Sequence, residues 1–345
     1  MIITDMKYVT RVVKEAIEID TSDKCIVTSE AYIKELSKKY PKSYRDALTL
    51  KNKGVVREII SKSYPTLQFL VGTKDQLLSS DLGSLAYPVI LKPNMGYGSL
   101  GVNGADSETE LRALISIVGS GEVYAEDVVS RSTLLIETRI EGEEFAADAY
   151  FDSYGTPVIL NIYKRSFLSS NDVSDRIYLS SSDLVMEKIH EATKVMNSLA
   201  PLDLRDFPVH FEWRTCSRTG EPVPIEFNPI RFAGSFTSDL TYYAYGFNPY
   251  VMFIRGETPN WSEIHASHSG RKYGFFCAEG TFSAVDWNGL FSNFPRMLNY
   301  YKSNEYDPQL FGVVFFEYFK EEDVDHLLRL DLSKFNRSGQ LVTIG

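Results

Sequence analysis

Two short segments carry the residues best suited to chemistry, "VHFEWR" (209–214) and "VPIEFN" (223–228). Side chains along a strand alternate between faces. Phe211 and Trp213 therefore fall on one side, with Ile225 and Phe227. His210, Glu212 and Arg214 fall on the other, with Glu226 and Asn228. The connection "TCSRTGEP" holds a turn signal at Thr219-Gly220. A hairpin centred on residue 219 sets Glu212 opposite Glu226, since (212 + 226)/2 = 219, and His210 opposite Asn228. Like charges facing each other cost a sheet roughly 0.2–1 kcal/mol, so something should compensate. A hard divalent cation such as Mg²⁺, held jointly with phosphates, suits two carboxylates and an amide oxygen. A solvated polar face on which the glutamates splay apart is the other reading.

A second segment, "VILKPNMGYGSLGV" (89–102), is an apolar run that ends at Lys92-Pro93 and opens into a loop with Gly96, Gly98 and Gly101. Glycine lets successive amides converge on an anion, and Lys92 stands where an ammonium would join them. The spacing is neither that of a P-loop, whose lysine follows the glycines, nor that of a dinucleotide fingerprint. A plain glycine-rich hairpin with a surface lysine fits the composition equally well.

These residues need elements to position them. "KCIVTS", "LAYPVILK" (85–92), "STLLIETRI", "EFAADAYF" and "PVILNIY" read as strands, and "EAYIKELSKKY" as a short helix. "LKNKGVVREIISKSYP" reads as one helix stopped by Pro65. "SETELRALISIV" opens with a Ser107/Glu110 capping box and carries Leu111, Leu114, Ile115 and Val118 at helical spacing. A helix ended by Pro201 carries the stripe Val185, Ile189, Ala192, Val195, Met196 and Leu199. "EEDVDHLLRL" places its acidic residues at the favourable helix N-terminus. Strands and helices mix without strict alternation, which predicts an α+β fold.

The 345 residues, 43% of them apolar, with 21 Tyr and 21 Phe, allow two or three subdomains. With 36 basic and 46 acidic residues the net charge is −10, which disfavours nucleic acid or an anionic membrane as partner. Cys25, Cys216 and Cys277 fit no metal spacing and suit a reducing compartment. The first twenty residues interleave charges like neither a signal peptide nor a membrane span, so the cytoplasm is expected.

Taken in order, "YPVILKPNMGYGSLGV", "LLIETRIEGEEFAADAYFD" and "VHFEWR" with "VPIEFNPIRFAGS" resemble the lid strand and phosphate loop, the adenine hinge, and the metal-ligand strands of the ATP-grasp superfamily. The resemblance spans roughly residues 50 to 250 and points to its L-amino-acid-ligase-like and carbamoyl-phosphate-synthase-like carboxylate–amine ligases. It implies two α/β subdomains clasping the nucleotide, with a shortened N-terminal domain (1–55), a lid (56–135), a central subdomain (136–250) and a C-terminal α+β extension (251–345). It implies ATP and Mg²⁺. Lys53 and Lys92 would meet phosphates, with Gly98, Ser99 and Gly101 in the closing loop. Glu137, Thr138 and Ile140 would form the hinge, and Glu144 would take the ribose. Glu212, Glu226 and Asn228 would hold the metal. The family's Glu-x-Asn-x-Arg pattern is altered here: Ile230 fills the arginine slot and Arg231 follows it. Arg231, Lys164, Arg165 and Ser235 are the substrate-side candidates, with Arg176 behind them, against the bland reading that such cations only aid solubility. The implied reaction joins a small-molecule carboxylate, such as an amino acid or peptide, to an amine through an acylphosphate, and a homodimer is a possible assembly. A non-catalytic nucleotide-binding module and an ATP-grasp kinase are the alternatives.

Overall fold

The structure is a computed structural model that describes residues 2–3, 24–28, 30–96, 101–118, 133–168, 176–233, 236–302 and 310–337. At the start of the chain β1 (Ile2–Ile3) pairs in parallel with β2 (Ile26–Val27). The segment expected to be a short helix is a 3-10 helix, Glu30–Ser37. The single helix expected next is two, α1 (Pro41–Lys51) and α2 (Lys53–Ile60). Asn52 separates them. Its backbone is extended (φ −83°, ψ 96°) and its side chain accepts from the amide of Val55, so an N-cap replaces a helix interior.

A four-stranded sheet follows, built from β3 (Phe69–Gly72), β4 (Val89–Pro93), β5 (Asn103–Ala105) and β6 (Leu134–Thr138) in the order β3-β6-β4-β5. Helix α3 (Glu108–Ile117) covers it, burying Leu111 and Ile115 against Leu91, Leu134 and Ile136. Its cap is half of the expected box. Ser107 accepts from the Glu110 amide at 3.3 Å, while the Glu110 carboxylate accepts from Asp106, one residue earlier than the reciprocal bond requires.

The remaining strands form one antiparallel sheet of eight: β7 (Gly142–Phe151), β8 (Pro157–Arg165), β9 (Ile177–Ser181), β10 (Phe207–Cys216), β11 (Pro222–Pro229), β12 (Lys272–Glu279), β13 (Arg296–Lys302) and β14 (Leu310–Tyr318). Their order is β11-β10-β7-β8-β9-β12-β14-β13, so the aromatic-rich strands after residue 270 continue the central sheet through the β9–β12 pair. Helix α4 (Ser182–Asn197) buries Val185, Ala192, Val195 and Met196 in the largest core, with Phe145, Phe211 and Trp213 from the sheet and Val27 and Leu36 from the N-terminal segment. The acidic helix near the C-terminus, Glu321–Leu328, forms as expected. No helix among the described residues is long and apolar enough to cross a membrane. Elements of both kinds, with antiparallel sheets, make the fold α+β.

Candidate active site

The hairpin register is the one the spacing predicts: Glu212 faces Glu226 and His210 faces Asn228. Phe211 and Trp213 are fully buried on the core side. A β-bulge lies between Glu212 and Trp213, and Trp213 pairs with Pro224, so Ile225 is the extra residue. That shift turns Ile225 out of the core, and it lines a cleft together with Glu212 and Glu226. The facing carboxylates are compensated by cations of the chain. Glu226 pairs with Lys53 at 2.9 Å, and Glu212 with Arg165 at 3.3 Å. Burial pushes the Glu212 carboxyl up, but Arg165 and the imidazole of His210, 3.8 Å away, outweigh it and leave it well below the usual range. His210 in turn is held at 2.9 Å by the fully buried Asp148, which also accepts from the Ala233 amide and the Tyr163 hydroxyl.

The opposite wall comes from the four-stranded sheet and α2. Lys53 is the first residue of α2, and its ammonium also donates to the Gly96 carbonyl at 3.1 Å. Lys92, on β4, lies 2.5 Å from Glu137 on β6, and Arg57 meets the same carboxylate at 2.5 Å. All three are buried. Burial raises the Glu137 carboxyl, yet Arg57 and Lys92 overcome that and bring it to about 2. Burial lowers the Lys92 ammonium, and the nearby cations Arg57 and Lys53 add to that effect against Glu137. The cleft between the walls encloses about 940 Å³, its open mouth included. Five cationic side chains (Lys53, Lys92, Arg139, Arg165, Arg214) and four carboxylates line it. In a chain of net charge −10 this pocket is locally positive and suits an anionic ligand.

Several expectations need correction. Lys164 and Arg165 do not face the same region. Lys164 pairs in register with Phe145, on the face opposite the cleft, and its ammonium bonds exposed Glu143. Arg165 alone points into the cleft, because neighbours on a strand alternate. Glu144 lines the cleft, but its oxygens are occupied: Oε1 accepts from Arg165 at 2.5 Å and Oε2 from Arg214 at 2.9 Å. It holds two guanidiniums, each oxygen keeping a lone pair that a ribose hydroxyl could still use. In the expected hinge, the Glu137 side chain is the buried partner of Lys92. Thr138 bonds backbone to backbone with Gln68, and the Ile140 carbonyl accepts from Arg214. Glu137, Thr138 and Ile140 nevertheless line the cleft together. Gly98, Ser99 and Ser235 lie outside the described residues. Gly101 has φ +76°, a conformation that favours glycine. Arg176 is bound to the Leu328 carbonyl, away from the cleft.

Ile230, in the arginine slot, is fully buried and has φ +59°, rare for a β-branched residue. This left-handed turn brings Arg231 back toward the strand it follows. Arg231 donates to Asn228 Oδ1 at 2.9 Å and meets Glu30 at 3.2 Å. Neither Arg231 nor Asn228 lines the cleft wall. Glu30 also holds Lys51 at 2.6 Å. Sequence reasoning did not single out Glu30, Lys51, Arg57, Asp148, Arg139 or Arg214 for the site. Two of them have a signal in the sequence: Arg57 stands four residues after Lys53 and so on the same helix face, and Arg214 shares the strand face of Glu212.

Among the described residues no group of three or more His, Cys, Asp or Glu side chains is arranged to hold a metal. Glu212, Glu226 and Asn228 offer two carboxylates and an amide oxygen on adjoining strands. Hard oxygen donors of this kind fit Mg²⁺ when phosphates complete the shell.

Residues 85–239 match a protein family described as the ATP-grasp domain. No curated protein matches the sequence. Among solved structures the chain is similar to an L-amino acid ligase from Bacillus licheniformis, at 17% identity and a TM-score of 0.64, over 93% of this chain and 82% of the other. It is also similar to the biotin carboxylase domain of a 2-oxoglutarate carboxylase from Hydrogenobacter thermophilus, described with MgADP and bicarbonate. That likeness has 16% identity and a TM-score of 0.60 over 93% and 76% of the chains. A third is an N5-carboxyaminoimidazole ribonucleotide synthetase from Thermotoga maritima, at 13% identity and a TM-score of 0.58 over 86% and 77%.

Proposed function

Since this chain carries an ATP-grasp domain and has the ATP-grasp fold, we propose that it is an ATP- and Mg²⁺-dependent ligase that joins a small-molecule carboxylate to an amine. One observation carries the reading. Lys53 and Lys92 from one wall and Glu212 and Glu226 from the other line one positive cleft, with Lys53 bridging to Glu226. Cations on one side and metal-binding carboxylates on the other are what a triphosphate needs, since phosphoryl transfer depends mainly on positioning and charge neutralisation. Glu212 and Glu226 on the cleft wall would hold Mg²⁺, which supplies charge neutralisation at the terminal phosphates, and Asn228, two residues beyond Glu226, would join them on exchanging Arg231 for the metal. On nucleotide entry Lys53 exchanges Glu226 and the Gly96 carbonyl for phosphate oxygens. Arg165, fixed by Glu144, steadies Glu212. The substrate carboxylate oxygen attacks the γ-phosphorus and ADP leaves. The amine nitrogen then attacks the acyl carbon, phosphate leaves, and the amine proton passes to solvent or phosphate.

The test is ADP release across panels of amino acids, peptides and polyamines. The expected result is release that requires both a carboxylate and an amine and falls by at least ~100-fold in Lys92→Ala and Glu226→Ala. ATP binding in calorimetry with no release from any pair would instead make the chain a non-catalytic nucleotide-binding module. A phosphorylated product without an amide, seen by mass spectrometry, would make it a kinase.

A further inference from the structure

Arg57 is the largest charged side chain in the fully buried interior, with 1% exposure, and no sequence motif assigns it a role. It makes three contacts. Its Nε donates to Glu137 Oε2 at 2.5 Å, and one terminal nitrogen reaches Glu137 Oε1 at 3.3 Å. The same terminal nitrogen donates to the Ile225 carbonyl at 2.6 Å. Ile225 is the extra residue of the bulge and has no register partner on β10. Arg57 therefore uses a carbonyl that the bulge leaves outside the β10 ladder, immediately before Glu226.

Two consequences follow from this geometry. The first is mechanical. Lys53 and Arg57 stand at i and i+4 on α2 and grip adjacent residues of β11, Glu226 and Ile225. A phosphate that draws Lys53 away breaks the first grip. The second grip ends on a neutral carbonyl and stays. The other wall is tied to the same helix, since the Gly54 amide donates to Asn94 Oδ1 at 2.7 Å just past β4. The second consequence is electrostatic. Glu137 is shared by two cations, Arg57 and Lys92. Two positive charges and one negative leave a net +1 beside the cleft. With Arg57 absent, Glu137 would belong to Lys92 alone and the group would be neutral.

We propose that Arg57 is a positioning residue for the nucleotide. By sharing Glu137 it leaves the charge of Lys92 available to phosphate, and by holding the Ile225 carbonyl it keeps the two walls of the cleft in register. This inference rests on the nucleotide-binding reading above.

The experiment is ATP affinity by calorimetry with Mg²⁺, on the full chain, with thermal unfolding followed on the same samples. Arg57→Met, close in shape and uncharged, should weaken ATP binding on the order of tenfold, the scale for losing one charge near phosphate in a partly screened site. Adding Glu137→Gln to Arg57→Met restores the net +1 and should recover most of that loss even though it lowers the melting temperature further. Arg57→Lys, which keeps the charge and should fold where the methionine variant does not, should bind within about threefold of the parent. A merely structural role moves affinity and melting temperature together and gives no recovery in the double variant. No recovery, or Arg57→Met within twofold of the parent, overturns the inference. If the parent chain itself binds no ATP, the nucleotide reading falls, and that result is distinct from both.

Discussion

Replacing Glu137 by Gln probes the buried pair of cations directly. In the folded chain the Glu137 carboxyl sits at about 2 against an ordinary 4.5, because Arg57 and Lys92 outweigh the burial that would raise it. A carboxylate whose folded value is depressed stabilises the fold fully above its unfolded value and loses that contribution as pH falls through the folded one. A shift from 4.5 to about 2 corresponds to about 3 kcal/mol at pH 7, with more than half of it gone at pH 3. Glu137 is only 6% exposed, so solvent screening discounts the figure little. Glutamine cannot ionise and leaves Arg57 and Lys92 buried without their anion, which places the loss at about 3–5 kcal/mol at pH 7. The assay is urea unfolding of parent and variant, followed by circular dichroism, at pH 7, 4 and 3. The expected result is a gap that narrows by about 1 kcal/mol at pH 4 and by about 2 kcal/mol at pH 3. A gap under 1 kcal/mol at pH 7, or one unchanged at pH 3, would refute the reasoning, because it would mean that Glu137 is not ionised between the two cations.

Two further outcomes follow from the sheet geometry. Lys164→Ala should leave ADP release within about twofold of the parent, whereas Arg165→Met should lower it on the order of 100-fold, since only Arg165 reaches the cleft and steadies Glu212; equal effects in the same assay would contradict the strand alternation. Gly142→Ala should destabilise the chain by roughly 2–4 kcal/mol in urea unfolding, because Gly142 has φ +144° and an added Cβ would stand 1.9 Å from the Thr215 carbonyl oxygen; an alanine variant as stable as the parent would show that this junction can shift.

Strand periodicity and one turn signal were enough to place Glu212 against Glu226, because a hairpin's register is a local property of alternation and turn position. Helix faces were legible for the same reason: Leu111, Ile115, Val185, Ala192, Val195 and Met196 are buried as their spacing predicts. The break at Asn52 was not read, although asparagine is a good cap, since its effect depends on the chain turning there. The ordered segments also carry the ATP-grasp resemblance in the sequence alone.

Tertiary structure alone decided which charges meet. Glu144 and Glu137 hold arginines and a lysine that lie from 21 to 80 residues away in sequence, and no local pattern encodes such pairs. The side to which Arg231 turns depends on the left-handed backbone at Ile230, and the partner of Arg57 on a bulge one residue wide. Periodicity fixes which face a side chain takes within its own element. Electrostatic partnership is fixed only when separate elements pack, and there a single extra residue at Ile225 frees the carbonyl that the Arg57 guanidinium meets.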